Sequence, residues 1–267
     1  MPDAGPASNE DTLGGFEGLC EVPHEVAAAL RAVAARPDEL RSFRPHALAR
    51  TALAAASVTP VNTEVLTAVC KQVAATDADG LAEYDPGDLT ALVWALAAAS
   101  HRDVAVMAAV GWQLAERAWE FCTDDLAKVV LAFAELRLSH QAMMATVSME
   151  VMWKIDQFSA HSLAQVAESC ARLDYCKEPM FDWLAARVIG RMEDYCPEDL
   201  ASVMWAFAQA SIKHEALCNS VAAEVGRRMP ELEECEFSRL VWAFDKLGVA
   251  PRSITQPLFH PDFNPHD

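Results

Sequence analysis

The sequence predicts an all-α fold, an α-solenoid wound as a right-handed superhelix, built from about six two-helix repeats with a 37-residue period. Three observations support this. A segment that begins at Asp88 returns every 37 residues, each copy carries apolar residues at helical spacing, and one position is small in every copy. Because one helix pair cannot bury its own apolar sides, the repeats are expected to stack into a continuous core.

The chain divides into three parts. Residues 1–22 carry five acids and no base, which predicts a disordered acidic tail. This tail has no apolar stretch and no arginine, so we expect neither a signal peptide nor an organellar presequence within it. The solenoid is assigned to residues 23–252, and residues 253–267 to a C-terminal coil rich in proline and phenylalanine.

The first helix of each repeat, helix A, is marked by apolar residues at positions 0, +3, +4 and +7, which form one side of an α-helix. Position +6 is always Ala or Ser, so a neighbouring helix can approach closely. A weaker copy starts at Leu48, with about four extra residues near Asp77–Asp85. Positions are counted from the first apolar residue of each copy, so position 0 is occupied in the five copies by Leu89, Leu126, Leu163, Leu200 and Phe237.

The second helix of each repeat, helix B, is predicted to start near Asp103, His140, Glu178 and Glu215. Its apolar register also repeats every 37 residues. His140 and His214 share a register in the turn before helix B, which favours surface turn residues over metal ligands or catalytic groups, because equivalent positions of packed repeats lie about 10 Å apart.

Composition excludes several function classes. The formal net charge is −18, which argues against a broad basic surface that grips nucleic acid through phosphates alone. No apolar run approaches the roughly 18 residues of a membrane span. We therefore expect no membrane partner.

Chemical motifs are also missing from the sequence. It contains eight cysteines but no C-x-x-C pair and no Cys/His cluster at zinc spacing, so most cysteines are expected to be buried free thiols. It contains no phosphate-binding glycine loop and no hydrolase or kinase motif. The expectation is a protein that is not an enzyme, with no cofactor, no metal and no small-molecule substrate.

The phrase Asp-Leu-x-x-x-x-Trp-Ala-Phe-Ala stands at Asp199 and, with small changes, at Asp88 and Asp125, while the third copy has Glu168 in the tryptophan position. At this period it resembles the heptatricopeptide and octotricopeptide repeats of organellar RNA-binding proteins. These include repeats found with FAST-kinase-like and RAP domains and in the RNA-editing substrate-binding complex. The resemblance covers about residues 45–250. It implies a helical scaffold that binds single-stranded RNA in mitochondria or plastids.

The residues between the apolar positions of helix A predict where RNA would lie. Three rows, at +2, +9 and +13, together contain six bases and one acid, although the chain as a whole is acidic. The alternative is an ordinary solvated helix face, for which these residue types are usual. The candidate RNA-binding residues are Lys128, Gln165, Ser202 and Arg239 at +2, Arg172, Gln209 and Lys246 at +9, and Arg102 and Lys213 at +13.

The tryptophans at position +5, which are Trp94, Trp205 and Trp242, could stack on bases. They lie next to the apolar stripe, so core or inter-repeat packing is the favoured interpretation.

Two functions remain open. The first is a non-catalytic protein that holds single-stranded RNA in organellar processing, editing, stability or translation. The second is an acidic protein–protein interaction scaffold, a structural subunit of a large ribonucleoprotein or protein assembly. The net charge of −18 favours basic partners for such a scaffold.

Overall fold

The computed structural model describes Leu30, Val33 and residues 37–76 and 78–249, and every regular element in that part of the chain is helical. The predicted acidic tail 1–22 and coil 253–267 lie outside the described residues. Within the described part, no helix combines the length and the apolar content needed to cross a membrane.

The helices of the described residues are numbered here in chain order. They are α1 (Pro45–Ser57), α2 (Thr63–Ala74), α3 (Ala78–Ala82), α4 (Pro86–Ala98), α5 (Val104–Arg117), α6 (Thr123–Glu135), α7 (Gln141–Lys154), α8 (Ala160–Arg172), α9 (Glu178–Gly190), α10 (Pro197–Gln209), α11 (Glu215–Arg227) and α12 (Glu234–Lys246). Short 3₁₀ segments occupy Pro37–Ser42, Ala118–Glu120, Met192–Asp194 and Met229–Glu231.

The helices form two layers, and this confirms the predicted all-α solenoid. Helices α1, α4, α6, α8, α10 and α12 are the predicted A helices, and each packs against the next to form the A layer. Helices α2, α5, α7, α9 and α11 are the B helices and form the B layer in the same way. The short helix α3 takes up the extra residues predicted near Asp77–Asp85.

The core lies between the layers, where the sequence pattern placed it. Leu89, Leu92, Val93 and Leu96, the four apolar positions of α4, are fully buried. The small residue at +6 is completely inaccessible in all five copies, which are Ala95, Ala132, Ser169, Ala206 and Ala243. A larger side chain at this position would separate neighbouring helices.

Three A helices, α6, α8 and α10, begin at side-chain caps that are spaced 37 residues apart. Ser159 accepts a hydrogen bond from the Ser162 amide, while the thiol sulfurs of Cys122 and Cys196 accept from the amides of Asp125 and Asp199. The expectation that most cysteines are buried is wrong for this reason. Among the described cysteines only Cys70, Cys170 and Cys218 are buried, and all the described ones are free.

Five of the six described A helices, all but α1, end at a residue in the left-handed conformation, at Ser100, Arg137, Asp174, Ser211 and Gly248, with φ between 50° and 64°. At the first of these, the Ser100 amide donates to the Ala97 carbonyl (2.9 Å) and the His101 amide to the Leu96 carbonyl (2.8 Å). This closure of the last helical turn is a Schellman motif. A left-handed residue at this point leads the chain into the B helix after α4, α6, α8 and α10.

The B helices begin at capping residues as well. Nδ1 of His140 and of His214 accepts hydrogen bonds from the amides of Met143 and Leu217 (3.1 Å each). The two histidines therefore lie in the predicted turns and have a capping role there. The His140 ring also packs on Gly111 of α5, where an added Cβ would come within 2.8 Å of it.

Basic residues at the C-terminal ends of B helices connect adjacent repeats. Arg117 donates to the carbonyls of Ala82 (3.1 Å) and Tyr84 (3.3 Å) in the turn before α4. Lys154 and Arg228 make the equivalent bonds to carbonyls in the turns before α6 and α10. These bases contribute to repeat stacking and do not belong to the predicted RNA-binding rows.

Candidate nucleic-acid interface

The solvent-facing surface of the A layer, called the A face below, is formed by positions +2, +5 and +9. These positions are three and four residues apart, so they lie on the same side of each helix. Seven predicted residues lie on this face, which are Lys128, Gln165, Ser202, Arg239, Arg172, Gln209 and Lys246. Ser202 is buried, Gln165 and Arg239 are half-buried, and the others are exposed.

Arg102 and Lys213 do not lie on the A face, and their assignment to it is wrong. Helices α4 and α10 end at Ala98 and Gln209, before these residues are reached. Both side chains lie in the exposed turns that follow the left-handed residue. The +13 position belongs to the connection between the layers because the helix register stops at the Schellman motif.

Glu168 organises the charges of the A face. Its carboxylate binds Arg172 of the same helix (Oε1–Nη2, 2.7 Å) and Arg239 of α12 (Oε2–Nη2, 3.2 Å). Arg172 also binds Glu135 of α6 (Nη1–Oε1, 2.6 Å). Two of the predicted phosphate-binding bases are therefore held by carboxylates of their own chain.

The environment of Glu168 keeps it ionised. Burial by itself would raise the pKa of this carboxyl group. The charges of Arg239 and Arg172, together with a hydrogen bond from Ser202, outweigh that effect and lower the pKa below its usual value. Three other repeats carry a tryptophan at +5, whereas Glu168 makes this repeat an ion-pair centre.

The contact between Glu168 and Arg239 shows how the A layer bends. Neighbouring packed helices lie about 8–10 Å apart, so α8 and α12 would be roughly twice that distance apart in a flat layer. Their side chains nevertheless meet across α10 at 3.2 Å. Adjacent A helices also lie closer together here than adjacent B helices do. The stack is therefore tighter on its A side, and the A face is concave over α8, α10 and α12.

Two tryptophans line this concave part of the A face. Trp205 and Trp242 stack with their ring centroids 6.5 Å apart and their planes at 28°. Trp205 is half-buried and Trp242 is 41% exposed, so the inter-repeat packing predicted for them is confirmed and a core position is not. Their ring faces are close to the surface that a single strand would use.

Each of these rings carries a cation. Lys246 Nζ lies 4.7 Å from the Trp242 ring centroid, and the Arg239 guanidinium carbon lies 5.7 Å from that of Trp205. Lys246 also donates to Gln209 Oε1 of the preceding repeat (3.1 Å). Aromatic rings flanked by cations are what a single-stranded nucleic acid requires, because the bases stack and the phosphates are negative.

The RNA-binding positions predicted from the sequence, +2, +9 and +13, did not include the tryptophans at +5. Position +5 lies three residues after +2 and four before +9, so the helical spacing alone places it on that face. Because position +5 also lies next to the apolar stripe, the sequence pattern favoured packing of these tryptophans within the protein over base stacking. The spacing, and not the hydrophobicity, is the signal that identifies Trp205 and Trp242.

The remaining predicted residues lie apart from this cluster. Lys128 of α6 is exposed and makes no ion pair with any described residue. Gln165 Nε2 lies 2.9 Å from His161 Nε2, and His161 Nδ1 lies 2.9 Å from the Asp199 carboxylate. The Asp199 hydrogen bond raises the pKa of His161 against the opposing effect of burial.

One group of side chains in the described residues has the composition of a metal site. The ligand atoms of Cys70, His101 and Asp103 lie within 4.8 Å of one another. Thiol, imidazole and carboxylate are ligands that zinc accepts. Sequence spacing does not reveal this group because Cys70 belongs to the preceding repeat.

The Cys70 thiol and the Asp103 carboxylate of this group already have hydrogen-bond partners within the protein. Burial, with the charge and hydrogen bond of Asp103, raises the pKa of the Cys70 thiol to about 12, so the thiol keeps its proton at neutral pH. The Asp103 carboxylate caps α5 by accepting from the amides of Ala105 and Val106. The group therefore joins two B helices as it stands.

Comparison with known proteins gives one family. The model of the family described as RNA-editing substrate-binding complex 6 protein matches residues 83–259. No curated protein matches the chain. The matched part begins just before α4 and contains all of the A-face residues discussed above.

Proposed function

The chain belongs to the RNA-editing substrate-binding complex 6 protein family, and from this premise we propose that it is a subunit of an RNA-editing substrate-binding complex. Its resemblance to heptatricopeptide and octotricopeptide repeats stays a prediction within that family. We further propose that the subunit holds single-stranded RNA on the concave A face, with no chemical step of its own, in a mitochondrion or plastid.

One observation carries this proposal: the Trp205–Trp242 stack, with Arg239 and Lys246 over its rings, at the concave end of the A layer. Base–aromatic stacking tolerates any sequence, since every base has a π-face. The cations are then placed to meet phosphates on either side of the stacked base. This arrangement supports binding of a single strand without requiring a broadly basic protein.

The ion pairs of Glu168 give this surface a built-in competitor. RNA that uses Arg172 and Arg239 must share them with a carboxylate that already binds both. The affinity for RNA is then moderate and falls steeply as the salt concentration rises. Added salt screens the ion pairs between RNA and protein, and it also reduces the free energy gained from counterion release.

The test is binding of a labelled single-stranded RNA to the full chain by fluorescence anisotropy across a salt series. Trp242→Ala is expected to raise the Kd about tenfold, in line with about 1–3 kcal/mol for one stacked base. Trp153→Ala, in the B layer, is the matched control and should leave the Kd unchanged. Equal effects of the two substitutions would contradict the proposal.

A second arm uses charge. Glu168→Gln is expected to tighten RNA binding and to steepen the salt dependence, because it releases two guanidinium groups. Replacing Lys128, Arg172 and Arg239 by Glu should weaken binding at low salt. If the protein does not bind RNA at low salt, or if neither set of substitutions changes the Kd, the A face is not the RNA-binding site.

The acidic scaffold is the second candidate function, and the net charge of −18 favours it. A stable protein partner that survives nuclease treatment supports the scaffold. A partner that is lost with nuclease supports RNA binding.

A further inference from the structure

The B layer exposes aromatic and apolar side chains that the protein itself does not cover. Of the large hydrophobic residues exposed in the described part of the chain, all but Trp242 lie in or next to B helices. The exposed fractions reach 58% for Trp112, 68% for Trp119 and 79% for Trp153. In the A layer, by contrast, Trp205 is half-buried and Trp242 stacks on it.

These side chains gather on α5 and α7. Trp112 and Met149 occupy equivalent positions 37 residues apart on helices that pack side by side. Trp153 follows Met149 by one helical turn, and Lys154 Nζ donates to the Trp119 carbonyl (3.1 Å), which brings Trp119 next to the end of α7. We call this surface, made by Trp112, Trp119, Met149 and Trp153, the B patch.

Helix α7 lacks the polar side that a solvent-facing helix normally has. Its sequence between Gln141 and Lys154 contains two charged residues, Glu150 and Lys154, and these pair with each other (3.0 Å). A helix that is apolar all round is typically buried. On the outer layer of a solenoid, burial on the second side must come from another molecule.

The charges around the B patch specify the partner. Arg117 and Arg187, beside the patch, are paired with Glu120 (2.6 Å) and Asp156 (3.1 Å). Lys71 of α2 stands at the position equivalent to Trp112, is exposed, and forms no ion pair with a described residue. Glu116 of α5 and Asp182 of α9 are exposed, and neither forms an ion pair with a described residue. The surface is thus aromatic at its centre, with exposed carboxylates on α5 and α9 and one exposed lysine on α2.

We propose that the B patch binds an amphipathic helix of a partner protein, with apolar residues facing Trp112, Met149 and Trp153 and lysine or arginine residues facing Glu116 and Asp182. Tryptophan faces also attract such cations. A second copy of this chain would bring the same carboxylates and a further net charge of −18, so self-association is disfavoured. RNA is disfavoured by the carboxylates of Glu116 and Asp182.

This proposal deepens the scaffold function and does not depend on RNA binding by the A face, so each surface can fail without the other. The Trp112 ring gives the patch a fixed element, since it contacts the His140 ring edge-on at 4.9 Å between centroids. A side chain that is already held loses little freedom on binding.

The experiment uses the full chain and three synthetic helical peptides of one length. The first has leucines along one side and lysines on the flanks, the second has glutamates in place of the lysines, and the third has the first composition in scrambled order. Binding is followed by calorimetry. We expect micromolar binding of the first peptide and at least tenfold weaker binding of the other two.

Variants locate the binding surface. Met149→Glu and Trp153→Ala are each expected to weaken binding of the first peptide about tenfold. Glu116→Lys is also expected to weaken this binding, although it leaves the apolar centre of the B patch intact. All three residues are exposed or at the edge of the patch, and circular dichroism checks that each variant is folded. Trp242→Ala, on the A face, is the matched control and should bind the peptide as the unchanged protein does.

Several results would overturn the proposal. Equal binding of the ordered and scrambled peptides would mean a general attraction of positive charge. Concentration-dependent dimerisation in sedimentation, abolished by Met149→Glu, would make the patch a self-interface. Loss of RNA binding in Met149→Glu, with no change in peptide binding, would make it a nucleic-acid surface.

Discussion

The tryptophans of the two helix layers differ in what covers them. Trp205 and Trp242 of the A layer stack on each other and carry cations from their own chain. Trp119 and Trp153 of the B layer project into solvent. The same residue type therefore packs against its own chain in one layer and is left uncovered by it in the other. Abundance of tryptophan alone does not tell these roles apart.

The comparison is tested most strongly by truncating one tryptophan from each layer. Trp205→Ala removes a half-buried ring and its stacking contact, and should lower the free energy of unfolding by about 2–3 kcal/mol. Trp153→Ala should change it by less than about 0.5 kcal/mol, as an exposed residue. Urea denaturation followed by circular dichroism measures both. Similar losses would mean that the B-layer ring is packed after all.

Gly111→Ala tests how firmly the B layer holds its exposed tryptophan. The new Cβ would lie 2.8 Å from the His140 ring, which caps α7 and contacts Trp112. We expect a loss of about 1–2 kcal/mol, because the cap must move. Gly190→Ala is the control, since nothing lies within 4 Å of its Cβ. Thermal unfolding of both variants gives the comparison, and equal melting temperatures would contradict it.

Glu168→Gln removes the ion-pair centre of the A face. The folded-state pKa of this group is lowered, so its contribution to stability is present above its unfolded value of 4.5 and is lost as the pH falls through the folded value. The variant should be about 1 kcal/mol less stable at pH 7. This difference should shrink below pH 4.5 in urea titrations. A difference independent of pH would assign the effect to packing.

His161 gives the smallest expected effect, at the edge of the A layer. Asp199 raises its folded-state pKa, so the stability it contributes is full below its unfolded value of 6.5 and falls as the pH rises through the folded value. The side chain is 58% exposed, which limits the contribution to a few tenths of a kcal/mol. His161→Gln should therefore differ from the unchanged protein more at pH 6 than at pH 8.

Much of the fold could be predicted from the sequence. The 37-residue period, the apolar positions and the small +6 residue predicted the helices and their stacking, and Leu89, Leu92 and Ala95 are buried as that pattern requires. Such features repeat because each copy faces the same neighbours. The capping role of His140 was not evident, since it depends on a local backbone geometry that the residue type alone does not reveal.

The candidate site was predictable only in part. Helical spacing identified Arg239, Lys246 and Arg172 as residues of one face, but extended that face to Arg102 and Lys213, which lie beyond the helix ends. The pairs that join Arg172 to Glu135 and Arg239 to Glu168 could not be predicted, because they connect different repeats.

The sequence by itself determined the repeat, the helix boundaries to within a few residues and the composition of the buried stripe, because these depend on contacts that recur at a fixed separation along the chain. The tertiary structure decided that Arg239 crosses α10 to reach Glu168 and that α7 keeps an apolar outer side. Both depend on the bend between repeats and on what lies outside the stack. A pattern that is the same in every copy does not encode either.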